Sequence, residues 1–405
     1  MRAVEYRYTP AGWVTARLVG RRFPHRVASM GGLRLVDRPA PTLPGPGWVL
    51  VRPILAGICG SDLGTVTAKF GPQFSPYVSL PAVMGHEVVG RIEADGEGWR
   101  RGQRVVFDPF LPCAARGLPL CPACLDGRTA ACERFADGGI SPGYCIGFCR
   151  DLPGGWGELV AVPAAQVFAV PDAVPDGKAV LVEPLAVGLH AVLAGPPLPG
   201  QRVLVIGAGP IGLLVLAAIR LLDIPCDVTI IARHTEQRRA AERLGATQVV
   251  PNAQAAEQLC LDRGWAMQHA GLMGARGLTG GFEQCYDAVG SGSSLTTAVR
   301  LVRSGGRIAL VGASQREAVD LTWLWMHEAR LDGYCGYGRE STGEHTFSVA
   351  LRLVSAHPEL PIDTLVTHRF PLEGYPEAIA TCLRRARSGA IKVVFAASDG
   401  GSQTK

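Results

Sequence analysis

The sequence predicts a two-part chain of class α/β plus β, a β-rich first half followed by a parallel sheet with crossover helices. Length, a change of texture near residue 195 and one glycine loop carry that prediction. At 405 residues the chain exceeds a single small core, and the usual domain size divides it in two. From Met1 to about Val182, short apolar runs such as Trp48 to Val51, Val88 to Ile92 and Val105 to Phe107 stand between Gly, Pro and charged turns, which is a β-rich pattern. The stretch GPPLPG at Gly195 to Gly200 interrupts it. Beyond it come a strand, a glycine turn and a long apolar helix around Ile211 to Ile219, then a strand at Val228 to Ile231. An Arg-rich helix from about Glu236 to Leu244 follows and ends at Gly245. Two further strands are expected at Gln284 to Val289 and Arg307 to Val311, and such alternation implies a parallel sheet. After about Gly338 one more helix, a strand at Ile391 to Phe395 and the polar tail SDGGSQTK complete the reading.

Composition narrows the class. Hydrophobic residues at 47% and charged residues at 19% describe a globular chain. A net charge of +5 with scattered Arg leaves no nucleic-acid footprint. No run reaches the roughly 20 apolar residues of a membrane span. The N-terminus through Arg21 and Arg22 lacks the order of a secretory signal, so the cytosol is the expected compartment. Twelve cysteines there point to metal ligation rather than to disulfides.

The segment VLVIGAGPIG, Val203 to Gly212, sets Gly207, Gly209 and Gly212 in G-x-G-x-x-G spacing between a strand and a helix. The first glycine permits the tight turn, the second lets backbone approach a pyrophosphate, and the third lets helix and strand pack closely. Gly207, Ala208, Gly209, Pro210, Ile211 and Gly212 are therefore expected to bind a dinucleotide; without that context the motif is only a glycine-rich turn. At the end of the next strand, where an NAD site usually carries a carboxylate, stands Arg233, with Arg238 and Arg239 beyond. Positive charge there suits a 2′-phosphate, so NADP is the expected cofactor. The alternative is an exposed arginine on a chain that takes NAD.

Cys113, Cys121, Cys124 and Cys132 form C-x7-C-x2-C-x7-C in a Gly-, Pro- and Ala-rich stretch. Four thiolates in one short loop suit a closed tetrahedral zinc site, which would order a lobe with little apolar material of its own. Free or paired thiols are the alternative. Cys145 and Cys149 fit no further role and read as unbonded.

The segments GICGSD (Gly57 to Asp62), GHEVVG (Gly85 to Gly90) and VEPLAVGLH (Val182 to His190) supply a thiolate, an imidazole and carboxylates far apart along the chain. With the four-cysteine lobe, the glycine loop, LTGG, DAVG and GGRIALVG in this order, the chain resembles the zinc-containing medium-chain alcohol dehydrogenases, nearest their polyol and sugar branch.

That resemblance implies a GroES-like β-barrel catalytic domain, 1–186 completed by 339–405, and a Rossmann domain, 187–338, with the active site in the cleft between them. It implies Cys59 and His86 as catalytic zinc ligands, and Glu87 and Glu183 as a ligand or a water-linked carboxylate, with the choice between them open. Asp62 corresponds to the carboxylate that orients the ligating His86, and Ser61 to the hydroxyl that relays the alcohol proton. Two zinc ions per chain, a small alcohol or polyol substrate and a homo-oligomer are implied in the same way. Two departures stand out: Gly64 occupies the place of a relay histidine, and seven residues, Ala114 to Leu120, separate the first two lobe cysteines where many relatives have two. The rivals are a zinc-free quinone or enone reductase on the same scaffold and a non-catalytic NADP-binding protein.

Overall fold

The computed structural model describes residues 1–19, 23, 27–28 and 32–397; the polar tail, Arg21 and Arg22 lie outside the described residues. The chain forms two compact units. One comprises Met1–Glu183, Ser341–Ser355 and Val366–Lys405, the other Pro184–Glu340 and Ala356–Leu365.

The centre of the first unit is the ten-residue strand Trp48–Gly57. It runs antiparallel to Val88–Ile92, with Val51 opposite Ile92 and Ala56 opposite Val88, and the register shifts between Pro53 and Leu55. Proline has no N–H for the ladder, so a bulge is where it is tolerated. The sheet order is Val366–Phe370, Lys392–Ala396, Trp48–Gly57, Val88–Ile92, Arg104–Phe107, Val167–Ala169, with Val160–Pro163 also on the central strand. The C-terminal strand thus lies beside the strand that leads into Cys59, pairing Val394 with Gly57.

In the second unit six strands form one parallel sheet. Its order is Gln248–Val250, Asp227–Ile231, Arg202–Ile206, Phe282–Asp287, Val302–Leu310, Arg330–Gly333. The order reverses beside Arg202–Ile206, so the glycine loop that follows this strand stands at the topological switch point, where such sheets bind ligands. The helix after it, Pro210–Leu221, is buried from Gly212 to Ile219. Each large apolar side chain so buried contributes about 1.5–3 kcal/mol. The expected helix after Val228 to Ile231 spans Thr235–Arg243, and Gly245 closes its end at φ +83°.

Three features differ from the sequence reading. A helix, Pro10–Val19, lies within the half read as strands. Among the described residues beyond Gly338 there are three helices, Thr346–Ala356, Tyr375–Leu383 and the short Arg385–Ser388, where one was expected. The hairpin of Ala266–Ala270 and Arg276–Gly280 precedes the fourth strand of the parallel sheet and takes in most of LTGG. It is anchored by Leu278, fully buried, while its tip exposes Leu272 and Met273.

Candidate active site and metal centre

Cys59 caps the N-terminus of the helix Gly60–Val66, and its extended backbone turns the chain out of the central strand. Asp62 Oδ2 accepts the Cys59 N–H at 2.8 Å, so the last residue of the GSD segment, three beyond Cys59, closes the turn that presents the thiol. His86 follows Gly85, whose φ is +90° and whose Cβ, if it had one, would sit 2.2 Å from the Trp156 ring. Only glycine fits there. The Trp156 indole N–H donates to Gly57 O at 3.1 Å, and Trp156 N–H donates to Met84 O. One fully buried tryptophan therefore joins the loop before Cys59 to the loop before His86. Nothing in the sequence reading singled out Trp156, because the pairing spans 99 positions.

The His86 ring is buried between two partners. Nε2 lies 3.4 Å from Ser61 Oγ, and Nδ1 lies 3.5 Å from Asp62 Oδ1, neither of those last two atoms having a hydrogen-bond partner. Complete burial raises the Asp62 carboxyl to about 6, partly offset by His86 and the Cys59 N–H. Burial opposes charge on His86, but Asp62 and Cys59 outweigh it and hold its pKa well above the usual value. A metal at Nε2 would displace that proton, with Asp62 left as the acceptor for Nδ1–H.

Glu183 is buried in the first turn of the helix Val182–Leu193, near enough to His86 to favour its charged form. Its carboxylate, the Cys59 thiol and the His86 ring are not gathered as tightly as the lobe thiols. Among the described residues only the four lobe cysteines bring three or more donor atoms within 4.8 Å of one another. The catalytic set fits zinc by donor chemistry, with His86 and Glu183 buried and Cys59 half-buried.

Glu87 points elsewhere. Both of its carboxylate oxygens accept from Lys392 Nζ at 2.6 Å, and the two side chains are 1% and 3% exposed. Burial opposes the Lys392 charge, and Glu87 outweighs it and raises the pKa. This pair stitches the C-terminal strand to the His86 loop. Lys392→Met should leave a buried carboxylate without a counter-charge and cost about 3–5 kcal/mol. Adding Glu87→Gln should recover most of the loss, which denaturant unfolding of the three proteins would show.

The lobe is built on the short helix Pro122–Leu125, with Cys121 as its cap and Cys124 inside it. Cys113 and Cys132 sulfurs stand 3.6 Å apart. Backbone N–H groups of Cys121, Glu133 and Arg134 donate to the sulfurs of Cys113, Cys121 and Cys132. Burial works against a thiolate at Cys121, but the N–H groups of Glu133 and Cys124 bring its pKa down to about 6. Four sulfurs so placed fit one tetrahedral metal. The inserted residues Ala114–Arg116 form a single 3-10 turn closed by Gly117 at φ +67°, so Cys113 stays with the other three. None of the twelve cysteines is in a disulfide; Cys149 Sγ donates to Ser141 O, and Cys145 is buried.

In the second unit Gly207 has φ +93°, and a Cβ on Gly212 would lie 1.8 Å from Gly207 O. Gly209 caps the helix, with Pro210 at its first position and Leu213 N–H bonded to Gly209 O. Arg233 is exposed just past the strand Asp227–Ile231. Arg238 instead turns its guanidinium onto the Ala232 and Arg233 carbonyls, which shapes the turn that presents Arg233.

A half-buried thiol with a buried imidazole and carboxylate in one unit, and a glycine loop at the switch point of the other, define a dinucleotide-dependent dehydrogenase. Residues 45–172 match the alcohol dehydrogenase GroES-like domain, and residues 210–356 match the zinc-binding dehydrogenase domain. The chain belongs to the zinc-containing medium-chain dehydrogenase family, with a GroES-like and a Rossmann domain. Its chemistry is hydride transfer between an alcohol and a nicotinamide dinucleotide.

It is 31% identical to the L-galactonate-5-dehydrogenase of Escherichia coli K12 over 81% of this chain and 86% of that one. The solved structure of RspB, an alcohol dehydrogenase of E. coli CFT073 complexed with NADH, superposes with a TM-score of 0.74 at 24% identity, covering 98% and 99% of the chains. A zinc-binding dehydrogenase of Sinorhizobium meliloti 1021 bound to NADP gives 0.71 at 25% identity, covering 98% of each. Among the described residues no helix is long and apolar enough to cross a membrane.

Proposed function

We propose that Cys59, His86 and Glu183 hold a catalytic zinc, that the four lobe cysteines hold a structural one, and that a small alcohol or polyol gives its hydride to NADP. The observation that carries this reading is the placement of His86, with Nδ1 3.5 Å from Asp62 Oδ1 and Nε2 towards Ser61. Zinc, when bound, supplies Lewis acidity that lowers a substrate hydroxyl's pKa from about 16 towards neutrality. Asp62 Oδ1 keeps the His86 proton on Nδ1, so Nε2 remains a donor for metal. Ser61 Oγ, only half-buried, would accept the proton that the substrate hydroxyl gives up while its own hydroxyl proton passes on to solvent water. Because Glu87 is committed to Lys392, Glu183 is the carboxylate left to complete the ligand set. In the other domain the N-terminal N–H groups of the Pro210–Leu221 helix would hold the pyrophosphate of a bound dinucleotide. A zinc-free reductase has no use for this donor set. The family also supports a homo-oligomer, and free thiols in this number support a reducing, cytosolic setting.

Arg233 selects the cofactor. Its exposed guanidinium can meet a 2′-phosphate in paired hydrogen bonds. The test is cofactor reduction over an alcohol and polyol panel, run with NAD and NADP in parallel on wild type and Arg233→Asp. Wild type should be more efficient with NADP, and the substitution should cut that efficiency by about tenfold or more, equivalent to about 1.4 kcal/mol. A wild type that prefers NAD defeats the cofactor assignment. No turnover with any alcohol would leave a non-catalytic NADP-binding protein.

A further inference from the structure

The turn Ala114–Arg116, which lengthens the gap between Cys113 and Cys121, ends on an arginine that is 5% exposed. Among the described residues it is the one buried arginine, and its hydrogen bonds all go to backbone carbonyls. Nε donates to Leu111 O at 3.2 Å, and Nη1 donates to Asp137 O and Ile140 O at 3.1 and 3.0 Å. Nη2 donates to Gly143 O, and both terminal nitrogens reach Ser141 O at 3.4 Å. These five carbonyls occupy the N–H groups of the fork. They are neutral, however, and a guanidinium taken out of water needs a counter-charge as well as hydrogen bonds.

The acidic residue of the contacted loop does not supply that charge, because the exposed Asp137 carboxylate accepts from Arg134 Nε at 3.1 Å. Sulfurs stand nearby instead. Burial pulls the Arg116 pKa down, and Cys149, Cys132, Asp137 and Cys113 oppose that pull. Cys149 is held as a thiol, donating to Ser141 O, and burial raises its pKa. Cys113 and Cys132 belong to the four sulfurs gathered within 4.8 Å. Zinc brings two positive charges to four thiolates and leaves such a site doubly negative. The N–H groups that reach three of the sulfurs carry partial charge alone, and the more exposed Arg128 and Arg134 pair with Asp126 and Asp137. A buried cation in want of an anion therefore lies beside a site that becomes an anion on taking up its metal.

We infer that Arg116 is the counter-charge of the four-cysteine metal site, and that the same guanidinium fixes the loop 137–143 to the lobe. Arg116 is a positioning residue, acting through the metal site and not on substrate. This rests on the reading of the lobe as a zinc site and adds to it the group that balances its charge.

The test measures lobe zinc affinity by competition with a chromophoric chelator, in protein already stripped of its more open zinc. Arg116→Gln, which keeps a polar side chain and loses the charge, should bind lobe zinc at least tenfold more weakly than wild type. Arg116→Lys keeps the charge but not the fork, and should stay within about threefold. Equal affinity in wild type and Arg116→Gln, or equal weakening in the Lys and Gln variants, overturns the inference. Hydrogen exchange on wild type gives a second readout that needs no variant to fold. Amides of 137–143 should keep their protection when the open-site zinc alone is removed, and exchange at least tenfold faster once the lobe zinc is removed too. Unchanged protection of that loop also overturns the inference. A wild type whose four cysteines take up no zinc would instead defeat the metal-site reading itself.

Discussion

Replacing His86 with Ala is expected to reduce turnover at least 1,000-fold, about 4 kcal/mol of lost transition-state stabilisation, while NADP binding changes little. The imidazole is the one nitrogen donor of the proposed catalytic set, and it also touches Ser61 Oγ at 3.4 Å. Its removal takes away a ligand and separates the relay hydroxyl from its neighbour. The glycine loop belongs to the other unit, so the dinucleotide affinity read from nicotinamide fluorescence should survive. Elemental analysis of the same variant should find one zinc in place of two, the lobe metal being retained. Substantial activity without His86 would place the catalytic centre elsewhere.

Changing Cys124 to Ser is expected to have the largest effect on stability. Its sulfur is one of four gathered within 4.8 Å, and the apolar cluster around them consists of the cysteines with Ala123 and little else. Such a lobe has no core to fall back on. Structural zinc contributes about 10–16 kcal/mol of apparent binding free energy in small zinc-folded peptides. Losing one of four thiolates should release the metal and lower the melting temperature by more than about 10 °C, more than the roughly 2–4 °C per kcal/mol typical of units this size would give for an ordinary core change. One zinc should remain, along with part of the activity. A Cys124→Ser protein with both zinc ions and unaltered melting would show that the thiols are merely packed.

Much of this was legible along the chain because the features are local. The glycine loop declares itself within ten residues, since Gly207, Gly209 and Gly212 each meet a separate backbone demand. The lobe cysteines lie close enough in sequence that one loop must gather them, and the inserted Ala114–Arg116 turn shows that loop absorbing extra residues. The strands at Val88–Ile92 and Asp227–Ile231 follow from apolar runs bounded by turns.

What escaped is what depends on distant partners. Cys59 and His86 could be joined only by resemblance, because the Trp156 bridge that holds their loops together has no sequence signature. The commitment of Glu87 to Lys392, 305 positions away, could not be read from GHEVVG, and so the two glutamates looked equivalent. The ring contacts of Phe74 with Tyr144 and Phe148 likewise join segments that lie far apart in the chain. The helices Thr346–Ala356 and Tyr375–Leu383 are a different case. Phe347, Ala350, Leu351 and Val354 recur on one face of the first, and Pro376 opens the second, so helical period and start signal were both present.

The central claim is that hydride transfer depends on a zinc held by Cys59, His86 and Glu183 and not on the lobe metal. The most direct measurement is the rate of NADPH formation from an accepted alcohol before chelation, after chelation that strips the more open site, and after zinc is returned. Turnover should fall below about 1% of its starting value on loss of the first zinc, with the fold intact. It should return in proportion to zinc added, up to one equivalent. Unchanged turnover in protein shown by elemental analysis to have lost that zinc would contradict the account.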